Sequence, residues 1–216
     1  MINREEKIAK LLLDMNIVVL RPNKPFRWVS GIIAPIYTDC RLIMSYPKER
    51  KIVLKEMQKM LSENVKPDFE VIAGVATSGI PYAAWLAELT NKPLVYVRSE
   101  KKDHGKENQV EGKLEKNQKT VLVEDLISTG GSSVGCIKAL REAGAIVDNA
   151  LSIFTYELEA SQKNFRETKV NQFSLTRFSV LVETAVKTGY LKEKEKLVAL
   201  DWKNGPLIWG KKYGFG

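Results

Sequence analysis

The sequence predicts an α/β protein, a parallel β-sheet flanked by helices. Two observations carry that expectation. Short apolar runs rich in β-branched residues recur at residues 69–76 (FEVIAGVA), 92–98 (KPLVYVR), 119–125 (KTVLVED) and 146–157 (IVDNALSIFTYE). Turn residues bound these runs, and segments of helical spacing alternate with them, as βαβ units require. In such sheets ligands sit beyond the carboxyl ends of the strands. Chemistry is therefore expected in the loops after Val75, Arg98, Glu124 and Thr155.

Residues 4–15 (REEKIAKLLLDM) place Ile8, Leu11, Leu12 and Met15 on one helical face. Residues 22–42 carry three prolines, a glycine and alternating apolar residues, which predicts short strands and turns. Helical spacing returns at residues 46–65. After the first β run, residues 80–89 (IPYAAWLAEL) read as a helix with Pro81 in its first turn, where proline is tolerated. Residues 132–145 form the next helix, with Gly144 placed to end it. Residues 160–169 read as helix, 171–175 (NQFSL) as a weak fifth strand, and 178–190 as a helix closed by Gly189. The tail, residues 193–216, starts as a helix, and its two tryptophans predict partial packing.

The 216 residues suffice for one sizeable core. Apolar content of 44% and charged content of 28% are ordinary for a globular protein. Cys40 and Cys136 form no CxxC pair and read as reduced thiols, not a disulfide frame or zinc site. The charged N-terminus lacks the apolar run of a signal peptide, and no stretch approaches the ~18 apolar residues of a membrane span. The expectation is a soluble, cytoplasmic protein with no membrane partner. The net charge of +8 fits a basic enzyme of anionic substrates or a nucleic-acid binder. No zinc-finger, basic-zipper or clear helix-turn-helix pattern accompanies it.

Three loops can carry chemistry. Residues 121–133 (VLVEDLISTGGSS) run from an apolar strand into Glu124 and Asp125, then into Ser128, Thr129, Gly130, Gly131, Ser132 and Ser133 before a helix. Unpaired N–H groups at a helix N-terminus attract phosphate, and glycines allow close approach. Carboxylates repel phosphate but accept hydrogen bonds from vicinal hydroxyls. A ribose beside a phosphate satisfies both halves. The second loop, Thr77, Ser78 and Gly79, is another strand-to-helix turn that could take a second anion. Neither is a Walker loop, since Ile80 and Pro81 stand where lysine and a hydroxyl residue belong, and GxGxxG is absent. The third, residues 98–112 (RSEKKDHGKENQVEG), is long, polar and basic, and carries the single histidine, His104. It reads as a lid that delivers positive charge.

These residues resemble a known family. VLVEDLISTGGSS resembles the phosphoribosyl pyrophosphate (PRPP) signature of type I phosphoribosyltransferases. FRWVSGIIAPIYTDCR (26–41) resembles the N-terminal segment of orotate phosphoribosyltransferases, and VRSEKKDHGKENQVEG (97–112) resembles their catalytic loop. The likeness runs from about Leu11 to Tyr190.

The resemblance implies the type I phosphoribosyltransferase fold with a small hood built from both chain ends. That gives a hood at roughly 1–65, a core at roughly 66–190 and an extension at 191–216. It implies transfer of phosphoribosyl from PRPP to orotate, with Mg2+ held mainly by PRPP and water, in a homodimer that shares its sites. Lys102, His104 and Asp125 would be catalytic. Arg98, Lys102 and His104 would contact pyrophosphate, together with Thr77, Ser78 and Gly79. Glu124, Asp125, Leu126, Ile127, Ser128, Thr129, Gly130, Gly131 and Ser132 would bind the rest of PRPP. Ser128, Tyr37 and Thr38 would line the base. The sequence departs from many members at Val29, where they have lysine, and from some at Ser99, where they have a second lysine, and near Tyr156, where they have arginine. A phosphoribosyltransferase for another base, or a PRPP-sensing regulator that binds nucleic acid, are the alternatives. The basic charge favours the regulator; the loop lysine and histidine oppose it, and the expectation is no nucleic-acid partner.

Overall fold

The computed structural model describes residues 3–65, 68–98 and 109–215. Helix α1 (Arg4–Asp14) starts at Asn3, whose side chain accepts the Glu6 N–H at 2.8 Å. It buries Ile8, Ala9, Leu12 and Leu13, so the apolar stripe lies slightly to one side of the one read from spacing. Four short strands follow: β1 (Val18–Leu20), β2 (Phe26–Arg27), β3 (Ile33–Ala34) and β4 (Ile36–Thr38). They make two antiparallel pairs, β1 with β4 and β2 with β3. A 3-10 turn (Cys40–Ser45) leads into α2 (Pro47–Asn64).

The core alternates strand and helix: β5 (Val71–Val75), α3 (Gly79–Thr90), β6 (Leu94–Val97), β7 (Val110–Glu111), β8 (Lys119–Ile127), α4 (Gly131–Glu142), β9 (Ile146–Thr155), α5 (Glu159–Thr168), β10 (Asn171–Arg177) and α6 (Phe178–Lys187). Gly144 and Gly189, at φ +96° and +81°, stand just past α4 and α6 and supply the left-handed conformation that ends a helix. The chain closes with α7 (Glu193–Asp201), a 3-10 turn and α8 (Pro206–Lys212).

One six-stranded sheet has the order β10-β9-β8-β5-β6-β7, with β7 alone antiparallel. Its central strands are buried on both faces. Ile72, Val121, Val123 and Leu151 pack with α1, α2, α3 and α6, whereas Ala73, Leu122 and Ala150 pack with α4 and α5. The order reverses direction at β5 and β8. The connection from β5 moves toward β6, and the connection from β8 moves toward β9. That is the topological switch point of an open α/β sheet, where a crevice opens outside the carboxyl ends.

Two details differ from the reading by pattern. Strand β8 continues to Ile127, because Leu126 and Ile127 still pair with Phe154 and Thr155 of β9 and Ile127 is buried. The two acids are therefore the sixth and seventh of the strand's nine residues and do not end it. The long polar segment is closed at its base by β7, which pairs with β6 through Val97 and Val110.

The tail packs firmly. Trp202 and Trp209 are buried, and Trp209 donates to the Val198 carbonyl at 2.8 Å. Helix α8 lies on β3 so closely that a Cβ on Gly210 would sit 2.8 Å from Ile33 Cβ. Among the described residues, no helix is long and apolar enough to cross a membrane.

Candidate active site

The switch-point crevice is bounded by residues 76–78, between β5 and α3, and residues 128–130, between β8 and α4. Both helices begin without a side-chain cap, so their first-turn N–H groups are left for a ligand or water. Glycine is required at two of these positions for different reasons. A Cβ on Gly79 would lie 2.6 Å from the Val123 carbonyl oxygen and 3.2 Å from Glu124 Cα. The start of α3 thus rests directly on β8 beside the first acid. Gly130 has φ +77°, and a Cβ there would also meet the Phe165 ring at 3.2 Å. Thr77, Thr129, Gly131 and Ser132 are exposed at the mouth, with Ser78 and Ser128 partly buried. Asn164 of α5 pins the loop by donating to the Thr129 carbonyl at 2.9 Å.

Successive side chains of a strand point to opposite faces. Glu124 accordingly meets α4, where the Ser133 hydroxyl donates to its carboxylate. Asp125 meets the other side, within the electrostatic reach of Arg41, Asp39, Cys40, Tyr82 and Tyr156. Burial pushes the Glu124 carboxyl up to about 7; the Ser133 bond opposes that rise and the Asp125 charge adds to it. Burial pushes the Asp125 carboxyl up to about 6, against hydrogen bonds from backbone N–H groups and the charge of Arg41. Both acids are thus poised near neutrality before any ligand donor reaches them.

The hood supplies the opposite wall. Asp39 caps the 3-10 turn and holds Arg41 by bonds of 2.7 and 3.0 Å, which lower its carboxyl below the usual range. The Tyr82 hydroxyl donates to the Cys40 carbonyl at 2.6 Å and ties α3 to this strap. Tyr37 is exposed on β4 and packs its ring 5.6 Å from Phe26. Thr38 lies beside the buried Tyr156 phenol and opposes the rise that burial imposes on it. Trp28, Tyr156 and Trp202 form a triangle with ring centroids 5.4 Å apart on every side. It joins the hairpin, the loop after β9 and the tail. Val29 is fully exposed at the hairpin tip.

Arg98 leaves the end of β6. Its Nε stands 3.6 Å from Glu111, while Nε and Nη2 are buried without a hydrogen bond. Lys102 and His104, expected to contact pyrophosphate, lie outside the described residues, as does Ser99. Of the other expected residues, Thr77, Ser78 and Gly79 and Ser128 to Ser132 lie in or just after the two strand-to-helix turns. Glu124 and Asp125 lie on β8 between them with side chains on opposite faces. Ile127 is buried in the core, and Tyr37 and Thr38 stand on β4, with Thr38 beside Tyr156. Pattern reading did not single out Ser133 as a partner of Glu124, nor the Asp39–Arg41 pair, Tyr82 or the aromatic triangle. Asp39 and Arg41 had a signal, the P.Y.D.R spacing; the others depend on contacts between distant segments. A separate groove of about 550 Å³ beside β10 is lined by none of the residues of the two glycine loops.

An uncapped helix start on each side of the switch point, with two carboxyls on the strand between them, fits the phosphoribosyltransferase class. The model of the phosphoribosyl transferase domain matches residues 46–188. The chain is 47% identical over 206 residues to the orotate phosphoribosyltransferase of Enterococcus faecalis, covering 95% of this chain and 98% of that one. It is 44% identical over 207 residues to the orotate phosphoribosyltransferase of Coxiella burnetii, covering 96% and 99%. Among solved structures, the orotate phosphoribosyltransferase of Aeropyrum pernix superposes with a TM-score of 0.73 at 32% identity, covering 85% and 99%. The chain belongs to the orotate phosphoribosyltransferase family.

Proposed function

We propose that this chain transfers the phosphoribosyl group of PRPP to orotate, giving orotidine 5′-monophosphate and pyrophosphate. The observation that carries the reading is the pair of uncapped helix starts on either side of two carboxyls that burial raises above the ordinary carboxylate range. The N–H groups and hydroxyls of residues 128–132 bind the 5′-phosphate. Glu124 and Asp125 accept the ribose hydroxyls. Residues 77–79, Arg98, Lys102 and His104 take the pyrophosphate, and Ser128, Tyr37 and Thr38 line the base. Residues 1–216 work as one catalytic domain.

Cleavage at the anomeric carbon builds positive charge on the ribose and negative charge on pyrophosphate. The partly buried Arg98 side chain, 3.6 Å from Glu111 and with Nε and Nη2 making no hydrogen bond, has donors left for that negative charge. Orotate is already an anion, so no strong protein base is required. Among the described residues no group of three or more His, Cys, Asp or Glu could hold a metal ion. Magnesium would be held mainly by PRPP oxygens and water, where it would supply charge to the leaving group.

A panel of orotate, adenine, hypoxanthine and uracil with PRPP and magnesium tests the reading. Orotate should be consumed, with loss of its ultraviolet absorbance. Turnover of another base with none of orotate would refute it.

A further inference from the structure

We infer that Ser133 is a positioning residue, holding the Glu124 carboxylate in the orientation in which it accepts the ribose hydroxyls of PRPP. The inference rests on the PRPP reading above. Ser133 is the third residue of α4 and is fully buried, whereas its neighbours Gly131 and Ser132 are exposed. At that depth it cannot bind a ligand at the mouth. Its hydroxyl does not cap its own helix either, and is spent on Glu124 across the gap between α4 and β8.

The surroundings explain why such a bond is needed. Glutamate has one more rotatable bond than aspartate, and an unheld carboxylate would lose that freedom only when PRPP arrives. Ser152 stands opposite Glu124 on β9, but its hydroxyl is paired with Ser174 at 2.6 Å. Cys136, one turn along α4, feels the carboxylate: its thiol is pushed up to about 12 by burial and by Glu124. On the other side, the start of α3 presents Gly79 backbone against Glu124 Cα. Among the described residues, the ionisable groups that act on Glu124 are therefore Asp125 and Cys136, both acids, and neither stabilises its charge. Ser133 supplies the donor that does.

Two consequences separate positioning from mere packing. Without the Ser133 donor, burial and the Asp125 charge act unopposed, so Glu124 holds its proton to higher pH. The charged form that accepts ribose hydroxyls is then reached later on the alkaline side. Calorimetric titration of the full-length protein with PRPP and magnesium, at several pH values, reads this directly. Ser133→Ala should weaken PRPP about tenfold at pH 7 and move the midpoint of the pH dependence up by about one unit. KM for orotate and kcat at saturating PRPP should change little. Ser133→Thr, which keeps the hydroxyl, should restore the midpoint. In a Glu124→Gln background, Ser133→Ala should have no further effect on PRPP affinity, since the two act as a unit. An unchanged midpoint and affinity in Ser133→Ala would overturn the inference, as would an equal additional loss in the Glu124→Gln background. Absence of PRPP binding by the unsubstituted protein at every pH would instead remove the reading beneath it, and the inference with it.

Discussion

Asp125 and Glu124 are adjacent in sequence but differ in company. Asp125 faces the Asp39–Arg41 pair and α3, and Glu124 faces α4. Each folded carboxyl titrates above its ordinary range, so between about pH 4 and 7 the folded state binds more protons than the unfolded state. Stability from this pair is then present at low pH and lost as pH rises through the folded values. The melting temperature of the ligand-free protein should fall across that window, and Asp125→Asn with Glu124→Gln should flatten the slope. A slope unchanged by the double substitution would mean the pair is not the source. Asp125→Asn alone should weaken PRPP by a charged hydrogen bond, roughly 1.5–3 kcal/mol, while leaving the fold intact. Equal kinetics at limiting and saturating PRPP would take Asp125 out of the site.

At the scale of elements, the hood presents a stability problem. Strands of two residues, such as β2 and β3, cannot hold themselves, since isolated hairpins are marginal in water. Their support comes from the tail. Helix α8 covers β3, and Trp202 meets Trp28 at 5.4 Å and Phe178 of α6 at 5.6 Å. Trp202 thereby clamps hood, tail and core together, and Tyr156 completes the seam beside Thr38. Trp202→Ala should cost about 3–5 kcal/mol, the usual cost of removing a buried large aromatic. Thermal melting measures the loss. Because the cluster backs the proposed base wall, KM for orotate should rise more than KM for PRPP. A variant with native melting behaviour would show that the tail is not what seats the hood.

At the scale of the whole molecule, the position of Arg98 matters. It leaves β6, two strands from β8, so about 10 Å of sheet separates its strand from that of the acids. The basic segment that follows Arg98 starts near the sheet's outer edge, where β6 pairs with the terminal strand β7. The homodimer that the family resemblance implies would let that segment serve the neighbouring subunit's site. Lys102→Ala should lower turnover about a hundredfold through lost leaving-group stabilisation. An Asp125→Asn chain should also be poor. Heterodimers formed by mixing the two should recover activity, approaching half the wild-type value, because one site keeps both residues. Verified heterodimers without recovery would assign each segment to its own subunit.

What the sequence by itself determined is local in origin. Period-two and unbroken apolar runs marked β5, β6, β8 and β9; Pro81 and Gly144 marked helix ends; the Ser/Thr/Gly turns and the two acids marked the crevice. Each signal lies within about a dozen residues, where backbone preference and solvent exposure act without help from elsewhere. Tertiary structure decided the rest. The extension of β8 to Ile127 depends on pairing with β9, and β7 exists only as a partner of β6. The Ser133–Glu124 bond spans nine positions but requires α4 to turn back onto β8. Trp28 and Trp202 meet from opposite ends of the chain. Such contacts leave no periodic trace, because which distant groups meet is set by strand order and layer packing, and these depend on the energy of the whole core and not on any one segment.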